Sequence, residues 1–89
     1  MIPRNVKKIV DGGILYGAFC SCENLRSVTF EKGSDLTEIG NNAFYECWSL
    51  KSIRLPNKLR EIGGLAFWKT SLTEVQIPAS VQVIGKDAF

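Results

Sequence analysis

Short apolar segments recur along the chain at a nearly constant interval, with polar residues between them. The dipeptide Ala-Phe marks the recurrence, because its successive copies start 25, 23 and 22 residues apart. Three of the copies follow an apolar residue and an Ile that are spaced three positions apart. A self-similar period in the twenties predicts a solenoid, in which each coil buries an apolar edge against the next coil. The four copies are Ala18-Phe19, Ala43-Phe44, Ala66-Phe67 and Ala88-Phe89.

Each coil is predicted to contain two extended segments. In the first segment apolar and polar residues alternate with period two, as they do in a half-buried strand. Stacked one per coil, such segments predict a parallel ladder, which Pro56 and Pro78 end because proline lacks an amide donor. The second segment predicts another short ladder. The first segment comprises residues 28–30, 53–55 and 75–77. The second comprises residues 36–39, 59–62 and 81–84.

A glycine stands at one position of each later coil, shortly before the Ala-Phe pair. The simplest explanation of Gly40, Gly63 and Gly85 is a backbone with positive φ, which a side chain would resist. The residues that follow fit one helical or 3₁₀ turn, which would direct Phe into the core. Four stacked rings would form an aromatic spine, and losing one ring typically costs about 3–5 kcal/mol. We therefore predict that Phe44→Ala or Phe67→Ala nearly unfolds the chain.

The combined pattern resembles the BspA-like, or treponemal-type, leucine-rich repeat, and the resemblance covers essentially the whole chain. It implies an α/β leucine-rich-repeat solenoid of about 3.5 repeats, with short parallel β-ladders and short helical or 3₁₀ turns. The solenoid is expected to be right-handed, because crossovers of this kind nearly always are. The residues that carry the resemblance are Ile39-Gly40, Ala43-Phe44, Cys47, Leu50, Ile53 and Leu55-Pro56, with their equivalents one coil on.

All 89 residues are expected to form a single leucine-rich-repeat domain. Since the chain begins and stops inside repeats, we expect it to be a fragment of a longer array. Residues 2–9 match residues 77–84 in spacing and are interpreted as repeat rather than as a signal peptide. The pattern is disturbed where Thr70 replaces Cys with one residue deleted before Leu72, and where the first complete unit is longer, at 31–35. The repeats lie roughly at 2–24, 25–49, 50–71 and 72–89.

Composition narrows the range of partners. The 11 basic and 9 acidic residues give a net charge of +2 and are scattered along the chain. Because no basic block occurs, nucleic acid is not favoured as a partner. No segment approaches the roughly 20 apolar residues of a membrane span, so membrane insertion is not expected.

The cysteines are interpreted as part of the core. Cys22 and Cys47 each follow the repeat's Phe by three residues, and such a site suits a small buried apolar side chain. Zinc ligation would lack a fourth ligand, because the chain has no His and Cys20 with Cys22 forms C-x-C. Cys20 is expected to be more exposed. Three cysteines leave one thiol unpaired, which does not suggest a disulfide framework.

No catalytic residue, metal or cofactor is expected. The chain has no His for general-base chemistry, no nucleophile elbow and no Gly-rich phosphate loop before a helix. Glu38 and Glu61 align on successive coils and could be taken for a glycosidase pair or a cation site. A solvated face explains them better, because Lys8 precedes them in the same column and Arg60 is adjacent.

The polar positions of the first ladder are the best candidates for a protein-binding face, because solenoids bind through extended faces of this kind. They form two columns, Ser27, Ser52 and Glu74, and Thr29, Arg54 and Gln76. A secondary candidate is an aromatic column in which Tyr45 and Trp68 share the position after Phe and Trp48 is nearby, since Trp and Tyr dominate binding hot spots. Alternatively, these rings cover the outer side of the turn.

These observations predict a non-catalytic protein–protein interaction module. The family resemblance implies a cell-surface or secreted protein of a bacterium or protist, in some cases an adhesin for host matrix proteins. The alternative is a structural repeat fragment that has no ligand of its own and self-associates through uncapped ends. Open ends favour that alternative because they expose apolar area and strand edges.

Overall fold

The computed structural model describes residues 2–9 and 23–89, which form two parallel ladders of two-residue strands. The strands are β1 (Lys8–Ile9), β2 (Ser27–Val28), β3 (Glu38–Ile39), β4 (Ser52–Ile53), β5 (Glu61–Ile62) and β6 (Val83–Ile84). Four of them form one sheet in the order β1-β3-β5-β6, and β2 and β4 form the other. An isolated parallel bridge also joins Ile2 to Phe30.

The register of the four-stranded sheet advances by one coil at each strand. Lys8 pairs with Glu38, Glu38 with Glu61, and Glu61 with Val83. This register confirms the second predicted ladder, and it confirms residues 2–9 as part of the repeat. Parallel strands that stack in this way establish a repeat solenoid. Its right-handed winding stays a prediction.

The first predicted ladder contains two strands instead of three. β2 pairs with β4 in the expected register, but residues 75–77 form no strand. The chain that leads into this segment is one residue shorter than in the preceding coil. A local hydrogen bond forms there, since Thr70 Oγ1 accepts from the Leu72 amide at 3.4 Å. Side-chain bonds of this kind compete with ladder formation.

No helix occurs in the described residues, so the predicted helical or 3₁₀ turn before Phe is not confirmed. Residues 41–46 and 64–69 are instead runs of hydrogen-bonded turns. Asn42 and Glu46 have φ of 61° and 58°, values that a right-handed helix does not contain. The Phe44 amide donates to the Ala66 carbonyl of the next coil at 2.8 Å, so this side of the solenoid is also bonded from coil to coil.

The glycines of the repeat serve a different purpose from the one predicted. Gly33 is the one described glycine with positive φ, so the expectation of positive φ at Gly40, Gly63 and Gly85 is wrong. A Cβ at Gly63 would lie 2.4 Å from the Asn41 nitrogen of the preceding coil. Glycine is therefore required because the backbones of successive coils approach each other too closely for a side chain.

Aromatic rings stack along the centre of the solenoid. The centroids of Phe44 and Phe67 are 5.2 Å apart, and those of Phe67 and Phe89 are 5.1 Å apart, with rings within 9° of parallel. The spacing is close to the ~4.8 Å between neighbouring strands, so each coil contributes one ring. The spine is confirmed for these three residues, and Phe19 lies outside the described part of the chain. Fully buried aliphatic side chains share this core, namely Leu36, Ile39, Leu50, Leu59 and Ile62.

Candidate protein-binding face

All six polar residues predicted for the binding face are exposed. The ladder places Ser27 beside Ser52, while Val28 and Ile53 turn towards the core. Because side chains alternate along a strand, this inward pair directs the neighbouring serines outward. The third coil supplies its residues from an irregular segment, so the prediction of a three-stranded face is corrected to two strands and a loop.

An open groove of about 1570 Å³ brings four of the six candidates together. Ser27 and Ser52 do not line it. Leu55, Pro56 and Ile77 add apolar surface to the groove. A surface that combines apolar area with polar side chains is typical of a region that binds another protein. The four candidates in the groove are Thr29, Arg54, Glu74 and Gln76.

The loop at residues 31–34 also lines the groove, although none of its residues was predicted to belong to the binding face. Arg4 fixes this loop, since its amide donates to Glu31 Oε1 at 2.7 Å and its Nε donates to the Lys32 carbonyl at 2.9 Å. Gly33, with φ of 79°, closes the turn. The extra length of the first complete unit was the available signal, because insertions in repeat proteins map to loops on one face, often the binding face.

Ion pairs neutralise part of the charge at the groove. Lys58 Nζ lies 2.9 Å from Asp35 Oδ1, and this hydrogen bond and the ammonium charge lower the pKa of Asp35 below its ordinary value. Arg4 and Glu31 form a second, looser pair at 3.7 Å. Three charged side chains of the groove form no salt bridge with another described residue. They are Lys32, Arg54 and Glu74.

The aromatic candidates lie away from the groove. Tyr45 and Trp68 are half-buried and stack with centroids 5.0 Å apart. The Lys69 ammonium lies 4.7 Å from the Trp68 ring centroid, so it covers a ring of this stack through a cation–π contact. Trp48 is exposed, does not line the groove and does not belong to the stack. Of the three predicted aromatic residues, Tyr45 and Trp68 therefore stack on each other.

Glu38 and Cys47, two of the residues weighed in the sequence, have structural explanations. Lys8 Nζ lies 2.7 Å from Glu38 Oε2, as a solvated column of opposite charges predicts. Cys47 is fully buried in the core, which confirms the apolar interpretation of its site. Cys20 and Cys22 lie outside the described residues. Within residues 2–9 and 23–89, no three His, Cys, Asp or Glu side chains converge as metal ligands would.

Comparison with known proteins gave one match. The family model for the BspA type leucine rich repeat region matches residues 2–89 in six copies. Searches of curated proteins and of solved structures found no match. The described residues contain no helix long and apolar enough to cross a membrane. The matched region contains both ladders, the phenylalanine spine and the groove, and the chain belongs to the BspA-type leucine-rich-repeat family.

Proposed function

We propose that the chain is a non-catalytic protein-binding module that contacts its partner through the groove beside the first ladder. The observation that carries the proposal is the convergence of Thr29, Arg54, Glu74 and Gln76, from three successive coils, on one open surface. Leucine-rich repeats generally act in protein–protein interaction, which supports this use of the surface.

The charge of the groove indicates how a partner would be selected. Arg54 and Glu74 carry opposite charges on successive coils and form no salt bridge with each other. A partner with complementary charges would therefore find both available. Such complementarity contributes mainly to specificity and association rate.

The family also supports a location and a class of partner. BspA-type repeats are typically found in surface or secreted proteins, and we propose an adhesin-like role at a cell surface with a host matrix or surface protein as ligand. We also propose a single leucine-rich-repeat domain, with repeats roughly at 2–24, 25–49, 50–71 and 72–89.

Binding to a panel of purified matrix proteins, measured by surface plasmon resonance, tests the proposal. We expect Arg54→Glu and Gln76→Lys each to weaken binding about tenfold, which corresponds to about 1.4 kcal/mol. Arg60→Glu and Gln82→Lys are the matched controls, because they make the same changes at exposed residues outside the groove. We expect the controls to bind as the unchanged chain does.

Two results would overturn this assignment. Equal losses in the groove variants and in their controls would place the binding surface elsewhere. No binding to any matrix protein would remove the adhesin-like role.

A further inference from the structure

The loop at residues 31–34 brings two charged side chains to the groove, and only one of them has an ionic partner. Glu31 and Lys32 both line the groove. The Glu31 carboxylate accepts from the Arg4 amide at 2.7 Å, and its other oxygen lies 3.7 Å from the Arg4 guanidinium. Lys32 is exposed and forms no salt bridge with another described residue. The loop therefore offers an ammonium group whose neighbouring carboxylate is already occupied.

The acidic residue that follows the loop is occupied in a similar way. Asp35 Oδ1 lies 2.9 Å from the Lys58 ammonium of the next coil. The Asp35 amide donates to the Arg4 carbonyl at 2.8 Å, which holds this end of the loop against the N-terminal coil. The two carboxylates nearest to Lys32 in the sequence thus each have a cation of another coil as their partner.

A second cation without an ionic partner comes from the next coil. Arg54 is exposed, lines the same groove and forms no salt bridge with another described residue. The coils of Lys32 and Arg54 are neighbours in the stack, and their rings Phe44 and Phe67 have centroids 5.2 Å apart. We expect one carboxylate to reach both long side chains. A guanidinium can bind it through two parallel hydrogen bonds.

The rest of the groove favours a protein over other acidic molecules. Leu55, Pro56 and Ile77 supply apolar surface beside the two cations, and Glu74 places a negative charge on the following coil. A nucleic acid carries charge along its whole length, so Glu74 would repel it and the apolar surface would find no partner. A protein segment can combine one carboxylate with apolar neighbours, which matches both features.

We propose that Lys32 and Arg54 form a carboxylate-binding subsite, which takes an Asp or Glu side chain from an apolar segment of a partner protein. Arg4 is a positioning residue of this subsite. It engages Glu31, which without it is free to pair with the two cations, and its Nε donates to the Lys32 carbonyl at 2.9 Å. The inference rests on the proposed function, since it names the chemistry that the groove selects.

Fluorescence anisotropy with synthetic peptides tests the subsite. The probe is a labelled peptide of about eight residues in which Asp alternates with Leu, long enough to cross the 23 Å width of the molecule. Both ends are blocked, so that its carboxylates are all side chains. We expect a dissociation constant on the order of 100 μM, which rises as salt screens the charges. The matched peptide with Lys in place of Asp should not bind.

Substitutions that remove one positive charge locate the subsite. Arg54→Gln and Lys32→Gln should each weaken binding of the Asp peptide about fivefold, the usual limit for an exposed charge pair. Arg60→Gln and Lys51→Gln are the matched controls, because they remove the same charges at exposed positions outside the groove. The controls should bind as the unchanged chain does. Thermal melts establish that all four variants are folded.

A double substitution separates the positioning role of Arg4 from a purely structural one. Arg4→Met leaves both cations of the subsite in place but releases the Glu31 carboxylate, and we expect it to weaken binding about threefold. Adding Glu31→Gln to Arg4→Met removes the released carboxylate and should restore the affinity. If Arg4 only stabilised the loop, the second substitution would not restore binding.

The outcomes against the subsite differ from those against the proposed function. No binding of the Asp peptide up to about 1 mM, or equal binding of the Lys peptide, would overturn the subsite. Equal losses in the groove variants and their controls would do the same, and affinity that Glu31→Gln does not restore would overturn the role of Arg4. A matrix protein that still binds through Arg54 and Gln76 would then keep the groove as a binding surface with a different ligand chemistry.

Discussion

The inner coils and the last coil carry the same motif but differ in what covers them. Ile39 and Ile62, in the inner coils, are 0% and 1% exposed, whereas their equivalent Ile84 is half exposed. The phenylalanine spine shows the same contrast between Phe67 and Phe89. Since the residues are of the same type, the difference in burial comes from the neighbouring coil. Each coil therefore stabilises the one before it, and stability is a sum over neighbouring pairs of coils.

The largest expected change in the free energy of unfolding comes from removing one phenylalanine ring from each kind of coil. Phe67→Ala removes a fully buried ring that stacks on both sides, and we expect it to lower the free energy of unfolding by about 3–5 kcal/mol. Phe89→Ala removes a ring that is covered on one side only, and about 1–2 kcal/mol is expected. Urea unfolding measures both values. Equal losses would show that burial by the next coil does not determine the contribution of a ring.

The next largest change in the free energy of unfolding is expected at the recurring glycine position, here called the glycine column and formed by Gly40, Gly63 and Gly85. A Cβ at Gly63 would meet the Asn41 nitrogen at 2.4 Å, and one at Gly85 would meet the Gly64 nitrogen at 2.3 Å. Coils on both sides hold Gly63, so we expect Gly63→Ala to lower the free energy of unfolding by about 2–3 kcal/mol. The last coil can shift outward, so Gly85→Ala should cost about 1 kcal/mol.

Gly64→Ala is the control for the glycine column. Its Cβ would come no closer than 3.3 Å to another heavy atom, and we expect a change below about 1 kcal/mol in urea unfolding. A loss at Gly64 as large as the one at Gly63 would mean that backbone approach does not explain the column.

A smaller effect concerns a strained backbone position that recurs in each coil. Leu65 has φ of 59°, and its equivalents in the other coils are Asn42 and Asp87, with φ of 61° and 55°. Asn and Asp tolerate this conformation better than Leu does. Leu65→Asn should therefore raise the free energy of unfolding by about 0.5–1 kcal/mol, even though it removes a half-buried apolar side chain. The reciprocal Asn42→Leu should lower it. A thermal melt in which Leu65→Asn is less stable than the parent chain would contradict this explanation.

The smallest effect is the ion pair that links two inner coils. The ammonium of Lys58 lowers the pKa of Asp35 in the folded chain, so the pair stabilises the fold above the ordinary value of 3.8. That contribution is lost as the pH falls through the lowered pKa of the folded state. Lys58→Met should therefore be slightly less stable than the parent chain near neutral pH and equal to it in acid. Urea midpoints at several pH values check this, and a difference that persists in acid would exclude the ion pair as its source.

The sequence predicted those features that depend on the repeat period. Equivalent positions of the repeated motif set the register of stacked strands, so the pairing of Lys8, Glu38 and Glu61 and the stacking of the phenylalanines could be derived from the motif. The reason for a recurring glycine could not be derived. A pattern shows that Gly63 lacks a side chain, and only coordinates show whether its own φ or the backbone of the neighbouring coil requires this.

The candidate site was predictable in its residues and less so in its shape. The alternation of apolar and polar residues predicted that the side chains of Arg54 and Thr29 point outward, and both line the groove. Residues 75–77 lie outside the ladder, in the coil where one residue is deleted before Leu72, and alternation alone does not show this. The contribution of the loop at 31–34 depends on contacts with Arg4, which lies far away in sequence.

The bonds between coils on the sheet side and on the turn side have a mechanical consequence. Hydrogen bonds between stacked strands lie across the strands, and therefore along the axis of the solenoid. Residue 2 belongs to the first coil and residue 89 to the last, so tension applied at these two positions pulls directly on those bonds. The chain should then peel open coil by coil from an end under low force, extending gradually instead of rupturing in a single event.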